Sequence, residues 1–271
     1  MSKRMVVAFI AAAVSVRMVP AALASAIDEG RAAYESGRYG EAERIFTRRL
    51  RAAEASGRRD VAAAASNDLG MTLLKRGRLR DAERLLRSAA RSWESVAPEG
   101  VQLAVCLQNL AQVRDVQGGG DEVVVLLGRA LALKEKVLGP RHADLVVPAL
   151  HLASVFHRGG RFDDAQRLYH GALEAGGDGT HAPHPELPVV LNNLAVLHRE
   201  KGEPLQAERS FRRALAAAEE AVRPDPLRLA GILENLAILV GRQGRTIEAA
   251  RLQERAVAAR DGRRVVVRTG W

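Results

Sequence analysis

Six glycines recur along the chain at a nearly constant interval: Gly37, Gly77, Gly118, Gly160, Gly202 and Gly244, spaced by 40, 41, 42, 42 and 42 residues. A fixed period of this length marks a chain built from stacked supersecondary units. Seven residues before each glycine stands a small residue: Gly30, Gly70, Ala111, Ala153, Ala195 and Ala237. A second small position follows each glycine at Ala42, Ala82, Ala165, Ala207 and Ala249, with Val123 departing. A third falls at Ala89, Ala130, Ala172, Ala214 and Ala256, with Arg49 as the exception. Two helices joined by a tight turn approach closely only where their side chains are small, and a glycine at the turn ends the first helix. Larger side chains, Phe46, Leu86, Leu127, Tyr169 and Phe211, recur at one further position, which Gln253 occupies in the last unit.

The apolar periodicity is helical. In the fifth unit Leu191, Leu194, Ala195 and His198 are spaced i, i+3, i+4, i+7, and Ala207, Phe211, Ala214 and Leu215 repeat the pattern in its second half. Ala, Leu, Arg and Glu dominate while aromatics are 4%, so local propensity also favours helix. The spacing predicts helix pairs at 26–37 with 40–57, 63–76 with 79–95, 101–116 with 121–138, 144–158 with 162–174, 187–201 with 204–221, and 226–242 with 246–260. Pro188 and Pro204 fall at helix starts, where a missing N–H costs little. Pro148 lies in or near a first turn and is expected to shorten its helix. The fold class that follows is all-α, an α-solenoid of about six helix-turn-helix repeats: 27–62, 63–100, 101–143, 144–186, 187–225 and 226–260. Hairpins that touch only their neighbours build an extended concave surface.

These repeats resemble the tetratricopeptide family. The period near 42, with segments such as Leu133-Lys134-Glu135-Lys136-Val137-Leu138-Gly139-Pro140 and His184-Pro185-Glu186-Leu187, is similar to its kinesin-light-chain-like subtype. Departures are Arg114 and His198, at a place where the family usually carries an aromatic or aliphatic residue, the loosened turn Gly118-Gly119-Gly120, and Arg49. The resemblance implies a right-handed superhelix lined mainly by the first helix of each pair, and a non-catalytic scaffold or adaptor that binds an extended peptide or partner segment in that groove. It also implies that side-chain amides two residues before the small position clamp the ligand backbone. Those positions hold Asp28, Asp68, Asn109, His151, Asn193 and Asn235, with Asn67, Gln108, Gln112, Asn192 and Arg199 as polar neighbours. An Asn offers donors and an acceptor, so it can pair an extended chain whatever its sequence. The alternative is that these amides bond neighbouring helices and only fix hairpin geometry. Arg158, Arg199 and Arg242 are placed to favour acidic peptides, or are simply solvated.

Residues 1–26 contain no acidic residue and read as a secretory signal: Lys3 and Arg4, an apolar run from Met5 to Val16, then Ala24-Ser25-Ala26. Cleavage is expected after Ala26, or else after Ala24. The run is shorter than the roughly 20 residues a bilayer span requires, and Arg17 closes it, so no stable membrane insertion is expected once it is removed. The chain is then exported to the periplasm or outside the cell; without a working signal it stays cytoplasmic. Lys3, Arg4 and Arg17 belong to this segment, so the remainder keeps +6 of the formal +9. The basic residues are mostly arginines interspersed with acids, as in Arg78-Leu79-Arg80-Asp81-Ala82-Glu83-Arg84, which reads as a solvated helix face and not as a nucleic-acid stripe.

Three constellations suggest chemistry and are discounted. His181-x-x-His184, near Asp178 and Glu186, has a metal-like spacing but sits in a Gly-rich loop with no second ligand pair near it. Cys106 lies on an apolar helix face, where it reads as a small core residue. Gly118-Gly119-Gly120 precedes a helix yet lacks the lysine of a phosphate loop and follows a helix, not a strand. His151, His157 and His170 share the fourth unit with no paired carboxylate in view. No cofactor or metal is expected, and the partner is another protein or peptide. A regulatory module serving a separate catalytic partner, and an enzyme using the fourth unit's histidines, are the other readings. Residues 261–271 break the repeat and either cover the last hairpin or stay disordered. Self-association through the ends stays open.

Overall fold

The computed structural model describes residues 21–177, 183–221 and 224–261. Among them it contains twelve α-helices and no strand. In order these are α1 (Ala21–Glu35), α2 (Tyr39–Ala55), α3 (Arg59–Lys75), α4 (Leu79–Val96), α5 (Val101–Val116), α6 (Gly120–Leu138), α7 (Val146–Arg158), α8 (Phe162–Gly176), α9 (Leu187–Glu200), α10 (Pro204–Glu219), α11 (Pro226–Arg242) and α12 (Thr246–Arg260). The chain divides into two compact units, residues 1–85 and 86–271. The predicted signal's first 20 residues and the tail from residue 262 lie outside the described residues, and α1 begins inside the segment read as a signal.

Each recurring glycine closes one hairpin in the same way. Gly37, Gly77, Gly118, Gly160, Gly202 and Gly244 have φ between 73° and 82°, a left-handed conformation that a Cβ makes costly. At Gly202 the glycine N–H donates to Arg199 O (3.2 Å) and the next N–H, of Glu203, donates to His198 O (2.8 Å). This is the Schellman pair of bonds, which satisfies carbonyls that the helix end would otherwise leave bare. The same two bonds recur at the other five glycines. In the triple-glycine turn Gly118 has φ 79° and Gly120 φ 45°. A Cβ on Gly119 would lie 2.8 Å from Arg114 O, so all three glycines there are required by backbone geometry.

The first unit holds α1 to α3 and the start of α4. The ring of Phe46 on α2 packs so close to Gly30 on α1 that a Cβ there would sit 2.6 Å from Phe46 Cε1. The start of α3 differs from expectation. Gly57, with φ 69°, makes a further Schellman turn, so α3 begins at Arg59 and not at 63. This three-residue link between repeats accounts for the shorter first period.

In the second unit α5 packs on α6, α7 on α8, α9 on α10 and α11 on α12, and each hairpin also packs on the next. Ala130, Ala165, Ala172, Ala207, Ala214 and Ala256 are wholly buried, as a close approach of helices requires. Tyr169 and Phe211 fill the space between hairpins, against Val190 and Leu194 and against Leu233 and Leu236 respectively. Burying one such side chain contributes about 2 kcal/mol. Pro148 acts as expected: a 3-10 turn at Ala143–Leu145 precedes a shortened α7. The final hairpin departs from the pattern, with Gln253 exposed where its predecessors bury Leu, Tyr or Phe.

The interspersed charges are more than a solvated face. Arg129 reaches Glu94 (2.7 Å), Lys201 reaches Asp163 (3.0 Å) and Arg245 reaches Glu208 (2.7 Å), pairs that join neighbouring repeats. Exposed pairs of this kind contribute about 0–1 kcal/mol each. Their geometry, however, exists only when neighbouring hairpins stack in register.

Gly202→Ala is expected to lower unfolding stability by about 1 kcal/mol, because alanine resists the left-handed turn. Gly171→Ala, in the middle of α8 with open space around it, should raise stability by about 0.5–1 kcal/mol through helix propensity. Urea unfolding followed by circular dichroism distinguishes the two; equal effects would contradict the turn assignment.

Candidate functional site

The polar residues singled out in the sequence lie mostly on the first helix of each pair, and in the second unit several of them meet. Asn235 Nδ2 on α11 donates to Asn192 Oδ1 on α9 (3.0 Å), and Asn192 Nδ2 donates to Asn193 Oδ1 (3.3 Å). Asn193 also shares a hydrogen bond with the Tyr169 hydroxyl, which lies 3.5 Å from Ser154 Oγ on α7. A chain of amides and hydroxyls thus crosses three repeats. Burial pushes the Tyr169 hydroxyl above its usual range, and the bonds from Ser154 and Asn193 pull it back. All three Asn are half-buried, and each has more donors and acceptors than these bonds use.

The neighbouring first helices are tied by further contacts at the same offset of 43 residues. Arg158 on α7 donates to Asp115 on α5 (2.5 Å), and His157 Nε2 on α7 lies 3.1 Å from Glu200 Oε2 on α9. Arg158 therefore has an acidic partner in the neighbouring repeat. The His157 ring stands edge-on to Phe162 and Tyr169. Glu200 supplies the carboxylate that the sequence reading found missing, because its partner stands one repeat away and not nearby in the chain. Ser154 Oγ donates to Leu150 O (2.8 Å) on its own helix, so its proton is engaged there.

The remaining predicted residues take other places. Gln108 is buried, with Lys134 Nζ 3.5 Å from its Oε1, and so faces its own hairpin instead of an open surface. Asn109, Gln112, His151 and Arg199 are half-buried on α5, α7 and α9. In the first unit, Asn67 and Asp68 lie on α3. Arg49, the residue that breaks the alanine pattern, is buried and donates to Asp68 Oδ2 (3.0 Å). Burial pushes the Asp68 carboxyl up, while Arg49 and Asn67 act against it. The first repeat's missing alanine and the second repeat's acidic residue are thus two halves of one ion pair. The departures Arg114 and His198 are paired as well, Arg114 with Glu122 (2.7 Å) and His198 with Glu203 (2.6 Å).

Among the described residues no group of three or more His, Cys, Asp or Glu could hold a metal. His184 Nδ1 accepts from the Glu186 N–H (3.1 Å) as part of the turn before α9; His181 and Asp178 lie outside the described residues. Cys106 is buried among Leu103, Leu107 and Ala130. A cleft of about 450 Å³ lies beside that turn, lined by Pro185, Pro188, Ala218, Asp225 and Arg228. Glu186 and Arg228 (2.7 Å) close one side of it. Among the described residues no helix is long and apolar enough to cross a membrane.

Two imidazoles make stability depend on pH. Burial holds His151 below its usual value, against the pull of Glu186 and Asp115, and burial likewise lowers His184, against Glu186 and Asp144. Unfolded, each titrates near ~6.5. Below that value the unfolded chain binds more protons, so stability is full above it and is lost as pH falls. The urea midpoint should therefore drop between pH 7 and pH 5, and His151→Asn should flatten the slope. An identical slope in the variant would contradict this assignment.

Tetratricopeptide repeat models match residues 62–99 and 103–144, residues 149–183, and residues 186–261, together well over half the chain. No curated protein matches the sequence. Among solved structures, BtubC (BKLC) from P. vanneervenii superposes with a TM-score of 0.68 at 23% identity, over 89% of this chain and 92% of that one. The apo form of the quorum sensor NprR from B. thuringiensis gives 0.69 at 14% identity, over 89% and 66%. The nearly identical TPR-like repeats of a candidate kinesin light chain from Podosopora anserina give 0.61 at 19% identity, over 74% and 97%. These identities speak for the fold alone. With six Schellman-closed hairpins and repeat models matched along most of its length, the chain belongs to the tetratricopeptide repeat family, and its fold is shared with kinesin-light-chain-like repeats.

Proposed function

We propose that this protein is a non-catalytic adaptor that holds an extended segment of another protein against the first helices of its second unit. The observation that carries this reading is the row of half-buried amides Asn192, Asn193 and Asn235, linked to one another yet each retaining unused hydrogen-bonding capacity. An extended backbone presents alternating donors and acceptors that such a row can satisfy without reading side chains. The amides are held in place before a ligand arrives, which lowers the ordering cost of binding. Tetratricopeptide folds are interaction scaffolds in general, and the specific groove is our assignment. The second reading is a regulatory module whose partner is a separate catalytic or signalling protein.

We also propose that residues 1–26 direct export. Cleavage after Ala26 would leave α1 to begin at Ile27, and N-terminal sequencing of the protein from its native host tests this.

Replacing Asn193 and Asn235 together by Leu is expected to leave helicity within error of the parent while abolishing capture of the native partner in a quantitative pull-down from the host. Capture at the parental level by a folded double variant would refute the groove assignment.

A further inference from the structure

The contacts between neighbouring first helices at an offset of 43 residues form a ladder whose last rung differs from the others. Asp115 with Arg158 and His157 with Glu200 each set a carboxylate against a basic group, at 2.5 and 3.1 Å. Asn192 with Asn235 joins two neutral amides at 3.0 Å. Seven residues beyond each of these Asn, two helical turns further along α9 and α11 and so on the same stripes, stand Arg199 and Arg242. They too are 43 apart on helices that pack side by side. They stand at the same repeat positions as Asp115 with Arg158 and His157 with Glu200, where this pair is arginine with arginine.

The acids around this rung are already engaged. Glu200 holds His157, Glu203 holds His198 (2.6 Å) and Glu234 holds Arg260 (2.7 Å). Among the described residues neither Arg199 nor Arg242 has an ion-pair partner; the first is half-buried and the second exposed. Two uncompensated guanidinium groups on facing helices repel one another and together match a carboxylate by bidentate hydrogen bonds.

Resting on the groove reading above, we infer that Arg199 and Arg242 anchor acidic side chains of the bound segment, which makes the ligand an acidic peptide. The Arg rung lies about 10 Å from the Asn192–Asn235 rung along the helices, at about 1.5 Å per residue. About three residues of extended chain cover that distance.

The test uses the full chain and a fluorescein-labelled hexaglutamate peptide, read by fluorescence anisotropy at low salt. Hexaserine and a single-stranded oligonucleotide of matching charge serve as controls. The parent should bind hexaglutamate saturably and in preference to both controls. R199E should weaken binding at least tenfold, and so should R242Q. R199E also completes an acid–base rung, so its Tm should rise by about 1–3 °C. That gain is one a merely disruptive substitution would not give. Absence of saturable binding by the parent, oligonucleotide binding of equal strength, a loss below tenfold, or a lowered Tm in R199E would each overturn the inference. If the Asn193 and Asn235 double variant loses partner capture while R199E binds hexaglutamate as the parent does, the groove stands and the acidic anchor falls. If neither variant changes its readout, both readings fall.

Discussion

A helix that ends in water can let its last carbonyls be solvated, but a helix that must reverse tightly onto a second one needs partners for them within the turn. The Schellman turn supplies those partners, and it demands a backbone angle that only glycine adopts without strain. Among the described residues all six hairpins are closed in that way, at Gly37, Gly77, Gly118, Gly160, Gly202 and Gly244. Everything else in the architecture depends on this constraint. Once the turn fixes where the second helix starts, it also fixes which residues of the two helices face each other. Those positions must then be small, and Ala165 and Ala207 are buried without remainder.

Stacking these units creates a second order of contact, between side chains one repeat apart. Its consequences run through the charged residues. Arg129 with Glu94, Arg245 with Glu208 and Arg158 with Asp115 give little stability individually because they are exposed. They nevertheless add up to a set of registers that a slipped hairpin would break. The same logic makes the amide chain from Asn235 through Asn192 and Asn193 to Tyr169 a structural tie as well as the proposed binding surface. It joins neighbouring repeats, so the proposed groove and the stacking interface share residues. The expected alternatives for these amides, ligand clamp or structural tie, are therefore not exclusive.

Much of this was legible in the primary structure. Helix pairs followed from the period, Pro148 announced the shortened α7, and Cys106 fell into the core as its helix face implied. What escaped were pairings between different helices. His157 seemed to lack a carboxylate because Glu200 is 43 residues away, Gln108 looked like a groove residue but turns toward Lys134, and Arg49 looked like a flaw until Asp68 was placed beside it. Helical periodicity reports which face of one helix a residue occupies. It does not report which neighbour that face meets.

Sequence alone determined the repeat, its all-helical character and the glycine turn inside each hairpin, though not the further turn at Gly57. The reason is local: backbone angle and side-chain size at a handful of recurring sites leave a chain of this pattern little other choice. Tertiary structure decided which polar groups are spent on one another and which remain available. That outcome depends on distances between hairpins, set by how Tyr169 and Phe211 fill the space between them. Only after those distances exist does Arg158 find its acid, while Arg199 and Arg242 find none among the described residues.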